Sequence, residues 1–432
     1  DGDGDDELGV VGGGKAYLIA NLDETTASMV FDVPGNEVVA GDFDGDGIDT
    51  LAGFDSSSNT FTILAANEQN AATTKEQLGH AESAHWRWSP LAGRWQQPAS
   101  PAASQGYAWP VAGPESKGFN ALKLGQALDD GASVANVNSV LVVRDGALVA
   151  ERYYHGYERH IAGNIKSVSK SVLSGLFGIA IDKAVIGSLD DTVSTHLPSY
   201  FQNFGAEKKA ISIEDIMTMR SGLAWTEGSP HLPNMIGSAN YLEYVLSQKL
   251  VTAPGSTYRY STGLTHVGSA LLTAASGKST RAFAREHLFE EIGISTPRWD
   301  RGVEGNFVGG AEMWMRPRDL ARFGQLFLRD GKLDGKQVIS QSWVQASADP
   351  WVPEGGNRFY GLWWRERPWS NYEGVDSYFA WGYGGQFLFL FPSQDLIVVV
   401  TSKWNVPYSV SGQSAGAIFS FVNNQILTTL GG

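Results

Sequence analysis

Asn164-Ile-Lys-Ser-Val-Ser-Lys-Ser-Val-Leu-Ser-Gly-Leu-Phe-Gly-Ile-Ala-Ile-Asp182 is the stretch on which the reading of this chain turns. Val172, Leu173, Leu176, Ile179 and Ala180 recur with helical period, so the spacing predicts a helix that starts near Ser167. Ser167 and Lys170 form an S-x-x-K pair, which places the amine one turn on and on the same face as the hydroxyl. The start of the helix adds positive potential at the hydroxyl. A serine becomes a nucleophile only when a neighbour takes its proton, and a lysine can do so when burial or another cation lowers its proton affinity. The plain alternative is a helix N-cap followed by a solvated first-turn lysine. A chain of this size should hold roughly one S-x-x-K by chance, and this is the only one here. The pair therefore needs support from elsewhere in the chain.

Two stretches downstream supply it. Pro254-Gly-Ser-Thr-Tyr-Arg-Tyr-Ser-Thr-Gly263 is a sharp loop leading into a helix that runs to Ser276. It presents Tyr260-Ser261-Thr262, and a phenol near a lysine ammonium is a usable general base. Ala380-Trp-Gly-Tyr-Gly-Gly-Gln386 enters a strand. Its small residues would let a substrate lie along the strand edge against a backbone N–H donor. Taken singly, each has a structural reading, a half-buried tyrosine and a bulge or tight bend.

Bulk properties narrow the classes. The 432 residues suffice for two or three domains, and 42% hydrophobic with 18% charged residues describes a globular chain. A net charge of −14 and a pI near 5.0 argue against nucleic acid and anionic membrane surfaces as partners. The absence of cysteine excludes disulfides, thiol nucleophiles and thiolate zinc sites. No apolar run is long enough to span a bilayer. The chain opens on Asp1 in mid-motif without a signal peptide, which reads as a mature or trimmed form, and a secreted or periplasmic location is expected.

Working outward, residues 182–345 read as helix-rich. A helix is expected over 118–130 and a hairpin over 139–154, turning at Asp145-Gly146. Strands follow over 378–391 and 396–402, then a helix over 415–430. One antiparallel sheet flanked by helices, with a helical insertion, would accommodate this order. Two other motifs are decoys. Gly412-Gln-Ser-Ala-Gly416 resembles a nucleophile elbow, but no strand leads into it and no His or Asp follows Ser414. Gly277-Lys-Ser-Thr280 lacks the earlier glycine of a phosphate loop and reads as a helix C-cap.

Residues 1–72 are acidic, glycine-rich and repetitive. Asp1-Gly-Asp-Gly-Asp-Asp-Glu-Leu-Gly9 matches Asp44-Gly-Asp-Gly-Ile-Asp-Thr-Leu-Ala52. In Gly41-Asp-Phe-Asp-Gly-Asp-Gly-Ile-Asp-Thr-Leu-Ala-Gly-Phe54, Asp42, Asp44 and Asp46 hold positions 1, 3 and 5 of a calcium loop, with the Ile48 carbonyl at position 7. Carboxylates that close repel unless a hard cation sits between them, so one Ca²⁺ is expected. The stretch resembles FG-GAP/VCBS-type repeats, about one and a half of them. So few repeats cannot bury their faces alone. They would pack on the rest of the chain, pair with a second chain or end a longer array. Residues 73–116, broken by five prolines and carrying four tryptophans, read as a strap or linker.

S-x-x-K, then Y-S-x, then a glycine-rich strand edge together resemble the serine β-lactamase-like hydrolases. The closer likeness is to the class C β-lactamase, penicillin-binding-protein-like esterase and 6-aminohexanoate-dimer hydrolase branch. Leu141-Val-Val-Arg-Asp-Gly146, Met217-Thr-Met-Arg-Ser-Gly-Leu223, Arg318-Asp-Leu-Ala-Arg-Phe-Gly324 and Phe391-Pro-Ser-Gln-Asp-Leu396 extend the likeness over residues 117–430, within a hydrolase domain expected over 117–432. The resemblance implies an α+β fold, an antiparallel sheet flanked by helices with a helical subdomain. It implies that Ser167 is acylated, that Lys170 accepts or relays its proton, and that Tyr260 is base and later proton donor. Thr262 stands where the family often has Asn. The oxyanion hole would be the N–H of Ser167 with that of Tyr383 or Gly384. No cofactor is implied for catalysis.

The expected function is hydrolysis of a small-molecule ester or amide. The alternatives are a β-lactamase or D-amino-acid peptidase, and a catalytically silent binding or sensor domain. The strand edge lacks the Lys-Thr-Gly cation of β-lactamases. An aromatic wall drawn from Trp225, Trp363, Trp364, Trp369 and Trp381 is expected, with residues 226–235 as a lid.

Overall fold

The computed structural model describes residues 107–348 and 376–431, together with the backbone of the strands within 8–96 and 350–366. The chain forms two compact units, Asp1–Gln105 and Gly106–Gly432.

The second unit is built on a sheet whose first hairpin the sequence sets locally. β1 (Val137–Arg144) and β2 (Ala147–Tyr153) meet at Asp145 and Gly146, both at left-handed φ (48° and 73°). Asp-Gly favours this geometry, and it matches the strand twist. The sheet continues through β3 (Pro350–Glu354), β4 (Asn357–Tyr360), β5 (Trp364–Glu366), β6 (Tyr378–Gly382), β7 (Gln386–Phe391) and β8 (Leu396–Ser402). The eight strands are antiparallel in the order β2-β1-β8-β7-β6-β5-β4-β3. β1 pairs with β8, Val140 opposite Val400, so the two ends of the unit close one sheet. The sequence suggests one strand over 378–391, but the structure has two, joined by a turn at Tyr383–Gly385. Gly384 and Gly385 supply the positive φ (83° and 101°) that the reversal needs.

The period of two divides the strand side chains between two cores. Leu141, Val143, Leu388, Leu390, Ile397, Val399 and Ala380 face one core. It is covered by α2 (Ser169–Asp182), α3 (Thr262–Ser276) and α4 (Pro317–Leu328). Val140, Val142, Phe379, Phe387, Phe389, Val398 and Val400 face the other, under α1 (Ala121–Asp130) and α5 (Tyr408–Phe421). The result is an α/β/α sandwich with the helical segments of 193–247 and α3 carried on the α2 side. Residues 107–111 join the same unit. Trp109 is buried, donates from Nε1 to the Arg318 carbonyl (3.2 Å) and packs edge-on against Tyr107. No helix among the described residues is long and apolar enough to cross a membrane.

In the first unit the backbone forms a three-stranded meander (Leu8–Gly12, Lys15–Ile19, Met29–Asp32). A four-stranded one follows (Glu37–Gly41, Thr50–Asp55, Thr60–Leu64, Thr73–Gln77). The proposed calcium ligands Asp42, Asp44, Asp46 and Ile48 lie outside the described residues, as do Trp363 and Trp369, while Trp364 is described only as backbone.

Candidate active site

Ser167 does not open the long helix, as the periodicity suggests. It lies in a tight 3₁₀ turn, Lys166–Val168, and α2 begins at Ser169. The turn is held from outside. Gly163–Asn164 pairs with Met313–Met315, and the Ile165 N–H donates to the Met313 carbonyl (2.9 Å). Lys166 adopts a left-handed φ of 49°, costly for a residue with a Cβ. Three contacts brace it. Its N–H donates to Asn164 Oδ1 (2.9 Å), its ammonium pairs with Glu312 (2.6 Å) and it lies 4.8 Å over the Trp404 ring. Asn164 Nδ2 also donates to Glu312 (2.7 Å), so one carboxylate fixes both residues ahead of the serine.

From α2, every residue from Ser169 to Ala180 is buried, Lys170 among them at 2% exposure. Its Nζ donates to Ser167 Oγ (2.9 Å), Thr262 Oγ1 (3.1 Å) and the Gly310 carbonyl (2.7 Å). Three acceptors match the three protons of an ammonium, and a buried cation needs that much compensation. The Lys170 nitrogen also sits 5.2 Å from the centroid of the half-buried Tyr260 ring. Ser261 is the N-cap of α3, its hydroxyl accepting from the Leu264 N–H (3.1 Å). Capping fixes the flanking Tyr260 and Thr262 at the helix entrance. The S-x-x-K and Y-S-x elements thus converge on one ammonium.

The glycine-rich edge reaches the same place. A Cβ on Gly382 would lie 2.2 Å from the Ile165 carbonyl, two residues before Ser167, so only glycine allows β6 to end against the serine turn. Within the turn, the Gly384 N–H donates to Ser411 Oγ (2.9 Å) and the Gly385 N–H to the Gly382 carbonyl (3.2 Å). Of Tyr383 and Gly384, only Tyr383 retains an N–H without a partner among the described residues. Its phenol donates away, to the Val406 carbonyl (2.7 Å).

Trp225 and Trp381 are the expected wall residues described with their side chains. Trp225 is buried, with Nε1 donating to Glu227 (2.6 Å). Trp381 belongs to the α5-side core, stacked on Phe387 (5.9 Å, 6°), because neighbours in a strand face opposite ways and Ala380 takes the serine side. The aromatic pair beside the serine turn is Trp314 and Trp404, ring centroids 5.3 Å apart. Neither has a motif to announce it. Gly310 belongs to no motif, and Glu227 falls within the stretch 226–235 expected as a lid. Residues 226–235 contain a short helix, His231–Ile236 in its full extent, but Glu227 turns inward toward α3. The rival Ser414 is buried inside α5 and donates to the Val410 carbonyl (2.9 Å), with none of an elbow's exposure.

Comparison with known proteins identifies the family. Residues 126–421 match the family described as Beta-lactamase. The chain is 23% identical over 305 residues to the 6-aminohexanoate-dimer hydrolase of Paenarthrobacter ureafaciens, covering 62% of this chain and 73% of that protein. A structure from Bacillus anthracis, provisionally assigned as a 6-aminohexanoate-dimer hydrolase, superposes with a TM-score of 0.58 at 21% identity, over 74% of this chain and 88% of that one. A class C β-lactamase superposes at 0.54 with 15% identity, over 69% and 96%. These structural likenesses are of fold.

Proposed function

This chain belongs to the beta-lactamase family and is a serine hydrolase of that superfamily, and on that footing we propose that it cleaves esters or amides through an acyl-enzyme on Ser167. The observation that carries the proposal is the buried Lys170 ammonium, 2.9 Å from Ser167 Oγ and beneath the Tyr260 ring. In this reading Ser167 Oγ attacks the substrate carbonyl and its proton passes to the Tyr260 oxygen. Lys170 orients the serine through its hydrogen bond to Oγ. The N–H groups of Ser167 and Tyr383 hold the tetrahedral oxyanion. Tyr260 returns the proton to the departing alkoxide or amine, and water then repeats the cycle on the acyl-enzyme. This family's chemistry needs no cofactor.

The substrate class follows from what flanks the serine. Trp314 and Trp404 offer apolar area, and the cations lying on these rings, Arg298 and Lys166, are paired with Asp300 and Glu312. β6, Tyr378-Phe-Ala-Trp-Gly382, carries no cation. Neutral acyl esters and some amides are therefore favoured over carboxylate-bearing β-lactams, esters being faster because an alkoxide needs less protonation than an amine. Ser167→Ala should lower turnover of p-nitrophenyl butyrate by at least about 10³-fold with the fold intact, and kcat/KM for that ester should exceed that for a chromogenic cephalosporin. Substantial turnover by Ser167→Ala, or a reversed preference, would sink the respective half.

We further propose that Asp42, Asp44 and Asp46, with the Ile48 carbonyl, bind one Ca²⁺ apart from catalysis; the alternating carboxylates in sequence support this. Calcium should raise a melting transition of the full chain, while EDTA leaves ester turnover unchanged. Loss of turnover on chelation without unfolding would contradict the division of roles.

A further inference from the structure

Glu227 has no place in the family resemblance, yet it is wired to the lysine. Its Oε1 accepts from the Thr262 N–H (2.7 Å) and from Trp225 Nε1 (2.6 Å), and its Oε2 accepts the Thr262 hydroxyl proton (2.7 Å). A threonine hydroxyl has one proton. Committed to Glu227, it leaves Thr262 Oγ1 only lone pairs to offer Lys170 Nζ, 3.1 Å away. The carboxylate thus fixes which way the Thr262 hydroxyl points, and that direction fixes Lys170 as the donor.

We propose that Glu227 is a positioning residue for the reaction: by holding the Thr262 hydroxyl it makes Thr262 Oγ1 an acceptor for Lys170 Nζ, and so keeps that nitrogen 2.9 Å from Ser167 Oγ. The inference rests on the reading of Ser167 as nucleophile. The groups that face Lys170 are few. Ser167 stands on its own element. Thr262 and the Tyr260 ring come from the α3 entrance, the Gly310 carbonyl from the 309–310 loop, and Glu227 from the segment after Trp225. The Lys166–Glu312 pair lies ahead of the serine turn with its charges engaged on each other. Glu227 is therefore the carboxylate linked to Lys170 through one hydroxyl. Without it, the Thr262 hydroxyl can rotate, and its hydrogen bond with Lys170 loses its fixed direction.

The test reads Ser167 directly and needs no natural substrate. A fluorophosphonate forms an Oγ–P bond as fluoride leaves and the serine proton passes to the base. Its labelling rate at Ser167, located by mass spectrometry, is measured against pH for the full-length chain. Glu227→Gln should slow labelling about tenfold at its plateau. Thr262→Val should reproduce that loss, the double variant should be no worse than either single one, and Thr262→Ser should restore the wild-type rate. Should Glu227→Gln fold poorly, the Thr262 pair of variants carries the test. A wild-type labelling rate in Glu227→Gln or in Thr262→Val would overturn the inference, as would Thr262→Ser behaving like Thr262→Val. Those results would leave Ser167 as nucleophile, whereas failure of the wild-type chain to label at Ser167 would overturn both readings.

Discussion

At the scale of single residues, the site depends on side chains that are absent as much as on those present. Gly310 accepts from Lys170 through its carbonyl, and a Cβ there would stand 2.1 Å from Thr265 Oγ1 and 2.9 Å from Lys170 Nζ. The Thr265 hydroxyl cannot yield freely, because it donates to the Thr262 carbonyl (2.7 Å) at the entrance of α3. Gly310→Ala should therefore displace Lys170 or Thr262 by a fraction of an ångström. A shift of that size in a catalytic group lowers kcat on the order of 100-fold, with far-UV circular dichroism unchanged. Steady-state kinetics on a p-nitrophenyl ester checks this. Activity within a few-fold of wild type would mean that Lys170 does not need its present position. Nothing in Val308-Gly-Gly-Ala311 announces such a role. The constraint comes from α2 and α3, which are remote in sequence, and the same is true of Glu227. The convergence of Ser167, Lys170 and Tyr260 is legible in the sequence because the motifs that hold them have short spacings. Residues that act on them through space have no spacing to read.

At the scale of elements, the sequence is informative where the cause is local. Asp145-Gly146 marks its hairpin because both residues adopt left-handed φ. Ser261 and Ser279 mark helix starts because their hydroxyls accept N–H groups three residues on. Gly277 marks a helix end at φ 67°. Reading fails where a neighbouring element decides. The 3₁₀ turn that separates Ser167 from α2 is imposed by pairing with Met313–Met315 and by the Glu312 brace on Lys166. The strand expected over 378–391 folds back at Tyr383 because β6 must stop against the Ile165 carbonyl. One misplacement was avoidable. Phe379 and Trp381 share one strand face, and Ala380 the other, by the period of two alone. That assigns Trp381 to the far core, whatever its nearness to the motif.

At the scale of the molecule, the catalytic unit holds together by joining its sheet to its helices, and charge takes part in that joining. Glu151 on β2 accepts from Arg318 Nε on α4 (2.9 Å) and from the Tyr153 phenol (2.7 Å). Burial by itself would raise the Glu151 carboxyl, but the hydrogen bonds from Arg318 and Tyr153 and the guanidinium charge outweigh it and hold the group below its ordinary value. The unfolded chain then binds the proton more readily than the folded one, so stability rises with pH across the interval between the two values. The contribution is complete above the unfolded carboxylate value of about 4.3 and disappears as pH falls through the folded value. Asp319 works against this trend. Burial raises its carboxyl despite the Arg316 partner, so its ionisation costs stability at neutral pH and the cost is relieved in acid. Removing Glu151 alone separates the two. Glu151→Gln should be destabilised at pH 7 by about 1 kcal/mol, the worth of a charged hydrogen bond discounted for partial exposure. The gap in melting temperature from wild type should narrow as the pH is lowered below about 4, where the unfolded chain takes up the proton that the folded carboxylate resists. A gap that stays constant between pH 7 and pH 3 would show that Glu151 stabilises through packing, and that the ion pair between β2 and α4 contributes nothing as a charge.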